Sequence, residues 1–322
     1  MKRITFLLAN LILFANGYAQ NLQISAVPSS FTPLEASVST DGILVTDGGT
    51  TVNTAPYNLP IEPDPSIKAY PLQNGRVVVR ENIANFLLVD SFGRVRNSIS
   101  NSTQSEGGEA ISEFASDPNG KTMIIYNPKV ISGSTIGSRA KRIGFSNIPR
   151  DIFYSTDRAL SVVEVSANGE FIAFATTKAG TDDQVELVDR FGNLLNTITF
   201  NQEIKGVTFS ENGLFVAIYS GGRVAAYEVR SGESIRGTSF RSTVQFAAYS
   251  PEDNVIIALT GDGNESVTDI ELHAINLELG KIVRQEFSKT LSKAQKPALV
   301  RNSIGRYKIL GYTSDLSLRV SF

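Results

Sequence analysis

Val162-Val163-Glu164-Val165-Ser166-Ala167-Asn168-Gly169-Glu170-Phe171-Ile172-Ala173-Phe174-Ala175 reads as two apolar strands folded about an Asn-Gly turn. Asn and Gly accept the positive φ angles that tight hairpin turns demand, and the flanking runs are rich in Val, Ile and Phe. A polar stretch follows, then Gln184 to Asp189, a turn at Arg190-Phe191-Gly192-Asn193, and Leu194 to Phe200. That makes four strands in one unit. The next unit repeats it: Gly206 to Phe209, Asn212-Gly213, Leu214 to Tyr219, Arg223 to Val229, Ser231-Gly232, and Glu233 to Phe240.

Turns recur at Asp41-Gly42, Asn74-Gly75, Asn119-Gly120, Asn168-Gly169, Asn212-Gly213, Asp253-Asn254 and Ile304-Gly305. Their second residues are spaced by 33, 45, 49, 44, 41 and 51 positions. Four-stranded propeller blades repeat about every 40 to 50 residues. The expectation is an all-β protein, a seven-bladed β-propeller of four-stranded antiparallel blades. The last unit, Ala298 to Phe322, supplies three strands, and an open edge there would leave ladder hydrogen bonds unmade. The alternating segment Leu22 to Val27 precedes the first unit and is expected to close the last blade as its fourth strand.

The words Val89-Asp90-Ser91-Phe92-Gly93 and Val188-Asp189-Arg190-Phe191-Gly192 are nearly the same. An apolar strand, Asp, a Gly turn and another apolar strand resemble the WD40 and Tyr-Val-Thr-Asn propeller repeats, from about Ala36 onward. The resemblance is one of architecture. With no Trp and no Gly-His dipeptide, the eukaryotic WD40 signature is absent, and its usual partners do not carry over. The chain looks like a divergent exported bacterial member.

Lys2 and Arg3, an apolar stretch from Ile4 to Ala15, and small residues ending at Ala19 have the layout of a secretory signal peptide. The stretch falls short of the ~20 residues that a membrane-spanning helix needs. Residues 1–19 are therefore expected to be removed, leaving one domain over 20–322. That domain would be periplasmic, surface-exposed or secreted, with no transmembrane segment but room for peripheral membrane association. Without a single cysteine, neither disulfides nor a cysteine-linked lipid anchor can form. A formal charge of −2 with interspersed signs argues against nucleic acid. The local groups Arg139, Lys141, Arg142, Arg150 and Lys289, Lys293, Lys296 are diluted by Ser, Gly and Gln, as solvated loops are.

Blade geometry puts first-to-second and third-to-fourth turns on one face, where they are short. The other face carries the longer stretches Thr46 to Ser66, Asn127 to Ser138, Thr177 to Asp183 and Thr260 to Thr268, with Asn101 to Ala110 and Ser288 to Pro297 between blades. Function concentrates on loops held by a rigid scaffold. The long-loop face is the expected interaction surface, with Tyr57, Arg139, Arg142, Asp182 and Lys293 as partner contacts; neutral insertions on the more tolerant face are the alternative. Thr46 to Ser66, with four prolines, either covers the central channel or a neighbouring blade, or replaces ordinary blade strands.

Chemistry is sparse. His273 is the only histidine, it sits in a strand-like run, and no base partner adjoins it in sequence. A histidine or cysteine metal centre is excluded. Asp262, Asn264 and Asp269 offer oxygen ligands suited to calcium, although Val267 replaces the central Gly of an EF-hand loop and His273 its final Glu. No other cofactor is expected. The inner strands carry Glu113, Glu164, Thr208 and Arg301 among apolar neighbours, which does not make a catalytic constellation. The reading is a non-enzymatic exported scaffold that binds a protein partner or a surface glycan in a cell envelope assembly. The alternative is a lactonase-like hydrolase or lyase at the channel mouth, assisted by calcium.

Overall fold

The computed structural model describes residues 21–27, 35–39, 42–47, 50–53, 67–146, 148–250, 255–301 and 307–321. The segment 1–19, Tyr57, the proline-rich stretch and the turns at Asp253-Asn254 and Ile304-Gly305 lie outside them.

The described residues form antiparallel sheets arranged in chain order. After β1 (Asn21–Val27), a three-stranded sheet holds β2 (Glu35–Ser39), β3 (Gly42–Asp47) and β4 (Thr50–Asn53). The next sheet is four-stranded, with β5 (Lys68–Pro71), β6 (Val77–Arg80), β7 (Asn85–Val89) and β8 (Val95–Ser100). A small hairpin of β9 (Gln104–Ser105) and β10 (Gly108–Glu109) leads to a sheet of β11 (Glu113–Ser116), β12 (Met123–Ser132), β13 (Thr135–Ile143) and β14 (Arg150–Ser155). The two units that open the sequence argument form β15 (Ala159–Val165), β16 (Phe171–Thr177), β17 (Asp183–Asp189) and β18 (Leu194–Phe200), then β19 (Ile204–Phe209), β20 (Phe215–Ser220), β21 (Arg223–Glu228) and β22 (Ser234–Ser239). Last come β23 (Val244–Tyr249), β24 (Val255–Asp262), β25 (Ser266–Asn276) and β26 (Lys281–Phe287), and finally β27 (Leu291–Arg301), β28 (Tyr307–Tyr312) and β29 (Asp315–Ser321). β1 pairs antiparallel with β29 in continuous register, from Asn21 opposite Ser321 to Val27 opposite Asp315.

First strands stand side by side: β2 packs on β5, β11 on β15, β15 on β19, β19 on β23 and β23 on β27. The core is accordingly a series of layers between neighbouring sheets. Phe86, Leu88 and Ile99 of one sheet meet Met123, Ile125 and Ile143 of the next. Ala173, Val185 and Leu187 meet Val207, Val216 and Ile218 in the same way. A sheet buried on both faces needs near-continuous apolar strands rather than alternating ones. Phe171 to Thr176 is such a strand, with all six residues buried.

The structure corrects the turn chemistry. Gly169 and Gly213 have φ of +68° and +72°, but among the described residues the only non-glycine with positive φ is Asp269. Asn168 and Asn212 therefore do not use left-handed backbone. Their side chains cap the turn instead: Asn168 Oδ1 accepts from the Glu170 N–H (3.0 Å) and from Ser166 Oγ (2.7 Å), and Asn212 Oδ1 does the same with Leu214 and Ser210.

It also corrects most of the long loops. Thr46 and Asp47 lie in β3 and Thr50 to Asn53 form β4, which pairs with it. Asn127 to Ser138 is the far end of the β12–β13 hairpin, Thr260 to Thr268 is largely β24 and β25, and Ser288 to Pro297 is largely β27. Arg139, Arg142 and Lys293 thus sit in strands, not loops. The tip of the β12–β13 hairpin, residues 131–136, is exposed and demands no apolar face, while elsewhere single buried residues such as Val267 and Leu291 stand among polar ones, so no two-residue period shows.

Candidate functional site

On the face opposite the short turns, the β12–β13 hairpin is fastened to the segment between β8 and β11. The hub is Asn127, whose side chain is fully buried. Its Oδ1 accepts from Asn101 Nδ2 (3.1 Å), Thr103 Oγ1 (2.9 Å) and Arg139 Nε (3.0 Å), and its Nδ2 donates to Ser112 Oγ (2.9 Å) and the Ile111 carbonyl (3.2 Å). A buried amide satisfied on both ends fixes geometry, because any displacement strands a polar group away from water. The β9–β10 hairpin is tied on in turn: Glu106 N–H donates to the Ile131 carbonyl, and Ile131 N–H to Ser105 Oγ, each at 2.9 Å.

This frame holds a set of isoleucines in solvent. Ile111 is 53% exposed, and Ile83, Ile131 and Ile136 are about as open. They are neighbours in the fold: Ile111 and Ile131 line one cavity of ≈370 Å³, Ile136 lies opposite Ile131 in the strand pair, and the Ile83 carbonyl accepts from the N–H of Ser112, next to Ile111. Isolated exposed apolar residues are ordinary, whereas a contiguous group with a polar border marks an interaction surface. Ile131 and Ile136 fall in the stretch Asn127 to Ser138, which reads as loop, and nothing local marks Ile83 or Ile111 as exposed. The signal available was the Asn-Pro after the apolar strand at Met123 to Tyr126.

Of the expected contacts, Arg139 is consumed in the Asn127 network and also donates to the Ser102 carbonyl (3.0 Å). Arg142 is half-buried, with its guanidinium 5.8 Å from the centre of the Phe191 ring. Asp182 is exposed on the β16–β17 connection, where its carbonyl accepts from Arg158 (2.7 Å). Lys293 donates to Gln245 Oε1 (2.9 Å), and partial burial together with nearby Lys205 lowers its pKa. The structure does not gather these residues into one site.

A second concavity, ≈1310 Å³, is lined by Phe240, Asp269, Glu271, His273, Arg284 and Lys289 among others. His273 is buried on β25, with Nε2 at 3.2 Å from Thr260 Oγ1 and 3.5 Å from Glu271 Oε2 and its ring against Phe240. Burial pushes its pKa down against the pull of Glu271, with Arg284 adding to the depression. Asp262 ends β24 opposite Thr268, Asn264 lies in the following turn, and Asp269 sits on β25 at φ +47°. Among the described residues, no group of three or more His, Cys, Asp or Glu is placed to hold a metal.

At the inner strands, Glu113 is held by Arg80 (2.9 Å), Lys68 (3.5 Å) and Tyr70 Oη (3.3 Å). Burial, helped by the carboxylates of Glu113 and Glu164, raises the Tyr126 phenol to about 12, and burial with Glu164 does the same for Tyr219. At neutral pH these phenols stay protonated.

No family model matches the chain, and no curated protein matches it. Solved structures do. The chain is similar to a chain of the mitotic checkpoint complex crystal structure (12% identity, 93% of this chain and 91% of that one, TM-score 0.57). It is similar to the Dos1 propeller (14%, 86% and 72%, TM-score 0.57) and to the Cps50 (Swd1) β-propeller domain of Myceliophteria thermophila (10%, 94% and 100%, TM-score 0.55). The likeness is one of fold: the chain shares the β-propeller architecture named for two of these structures.

Proposed function

We propose that this protein is an exported, non-enzymatic propeller of seven blades that binds a protein partner through the face bearing Ile83, Ile111, Ile131 and Ile136. The observation that carries the reading is that these exposed isoleucines flank a buried network centred on Asn127, whose amide is hydrogen-bonded at both ends. A rigid frame under an apolar surface limits the ordering cost of association. Ring closure by β1 as the outer strand of the last blade is supported by its seven-residue pairing with β29. Export, and with it a place in a cell envelope assembly, is supported by the character of residues 1–19. The hydrolase or lyase alternative draws less support, since Glu113 is neutralised by Arg80 and Lys68.

The test is affinity isolation from the native envelope with the wild type and with Ile111→Ser/Ile131→Ser/Ile136→Ser. The reading expects a stoichiometric protein partner that the triple variant loses while its circular dichroism is unchanged. Equal recovery with both proteins, or recovery of the propeller alone, overturns it.

A further inference from the structure

The ≈1310 Å³ concavity rests on a polar sheet face in an otherwise apolar fold. Glu271 and His273, two residues apart on β25, lie on one side of the sheet. The register of β25 with β26 sets Glu286 opposite Glu271 and Arg284 opposite His273, so all four share that side. The other side of the same strand pair is core, where Leu272, Ala274 and Val283 pack together. A sheet that only packs against its neighbours has no need of four polar residues on one face. The link from β22 to β23 supplies a further wall, with the Phe240 ring 4.7 Å from that of His273. At its edge β25 leaves regular pairing: the register with β24 shifts between Thr260 and Asp262, and Asp269 takes φ +47°. Irregularities of this kind re-aim side chains beside binding sites.

The His273 tautomer follows from its neighbours. Nε2 lies 3.5 Å from Glu271 Oε2, which as a carboxylate only accepts, and 3.2 Å from Thr260 Oγ1, whose own hydrogen goes to the Glu271 carbonyl. Nε2 therefore carries the proton and Nδ1 the lone pair. Burial keeps the ring neutral at physiological pH. Among the described residues nothing donates to Nδ1, which leaves this acceptor for a ligand hydroxyl or N–H.

Charge around the cavity balances. Arg241, Arg284 and Lys289 stand with Asp269, Glu271 and Glu286, so with a neutral histidine the lining favours neither an anion nor a cation. It offers donors and acceptors side by side, with serines and threonines between them and one aromatic ring. Neighbouring sugar hydroxyls donate and accept at once, which suits guanidinium beside carboxylate, and the C–H face of a sugar ring packs on an aromatic side chain. Small-molecule sites usually occupy roughly 300–1,000 Å³, so this cavity has room for more than one sugar ring. We propose that the cavity between the β22–β23 link and the β25–β26 pair binds a neutral saccharide, hydrogen-bonded by His273 Nδ1, Arg284 and Glu286 and packed against Phe240. A free sugar and the end of a glycan chain share this chemistry. The site uses none of the exposed isoleucines and does not depend on the protein partner.

Because the chain has one histidine, its ring signals in an NMR spectrum report on this cavity alone. The test is titration of the untagged mature chain with the methyl glycosides of glucose, galactose, mannose and N-acetylglucosamine, and with a trisaccharide of each. The expected result is a saturable shift of the His273 ring nitrogens with at least one sugar. Tighter binding of its trisaccharide identifies a glycan chain as the source, and equal binding a free sugar. Arg284 and Glu286 are exposed, so Arg284→Ala/Glu286→Gln should keep its circular dichroism and thermal midpoint. It should bind the same sugar at least about tenfold more weakly. Ile111→Ser/Ile131→Ser/Ile136→Ser should bind it as the wild type does. The proposal is overturned if no sugar moves the His273 signals, if the double variant binds equally well, or if sulfate moves them as far as the sugars do, which would make the cavity an anion site.

Discussion

The side-chain amide of Asn168 donates a 2.8 Å hydrogen bond to the backbone carbonyl of Asn212, the equivalent residue of the next sheet. The same carbonyl is used elsewhere: Lys121 Nζ reaches the Asn168 carbonyl (3.2 Å), and Arg76 reaches that of Asn119. A turn residue chosen for local capping thus also ties one sheet to its neighbour. Asn168→Ala removes the cap to Glu170 and the link to Asn212 together. It should lower unfolding stability by about 1–2 kcal/mol in urea titration, with no change in the m-value. A change within error would mean that water replaces both bonds at no cost.

Asn127 should be costlier. Alanine at this position takes the acceptor from Arg139 Nε and one of two partners from each of Asn101 Nδ2 and Ser112 Oγ, which keep only their mutual bond. The expected loss is about 2 kcal/mol or more, and partner capture should weaken as the isoleucines lose their frame. Partner capture unchanged alongside reduced stability would separate the frame from the binding surface.

Acid sensitivity should come in two windows. Burial holds His273 below its usual pKa, so the unfolded chain binds more protons and stability falls as pH drops through about 6.5. The N–H of Arg94 leads the contacts that depress Asp90; for Asp189, burial opposes the depression, but hydrogen bonds from Asn193, Phe191 and Gly192 outweigh it. Stability from these two is complete above about pH 4 and is lost below it. Because the chain has one histidine, His273→Gln should remove the first window alone, and Asp90→Asn/Asp189→Asn should flatten the second. Thermal midpoints between pH 3 and 8 check both, and a His273→Gln curve parallel to the wild type would contradict the first.

The four-stranded units were legible because burial on both faces forces long apolar runs, as at Phe171 to Ala175, and because Gly75, Gly120, Gly169 and Gly213 must punctuate them. Other features were hidden for physical reasons. The tip of the β12–β13 hairpin stands in solvent, and in the β27 extension only Leu291 reaches the core among polar neighbours, so both sequences lack a strand period and read as loops. Asn127 looked like a loop asparagine because nothing local distinguishes a buried amide from a solvated one. The Val-Asp-x-Phe-Gly words were visible at Asp90 and Asp189, yet whether their phenylalanines face the core or solvent depends on how neighbouring sheets pack.

Ring closure is the claim on which the rest stands, and deletion of residues 21–27 tests it most directly. The account predicts that the shortened chain loses thermal stability steeply, that β29 edge amides exchange rapidly, and that a peptide of sequence Asn-Leu-Gln-Ile-Ser-Ala-Val added in trans restores both. A thermal midpoint equal to that of the mature chain would contradict closure by β1.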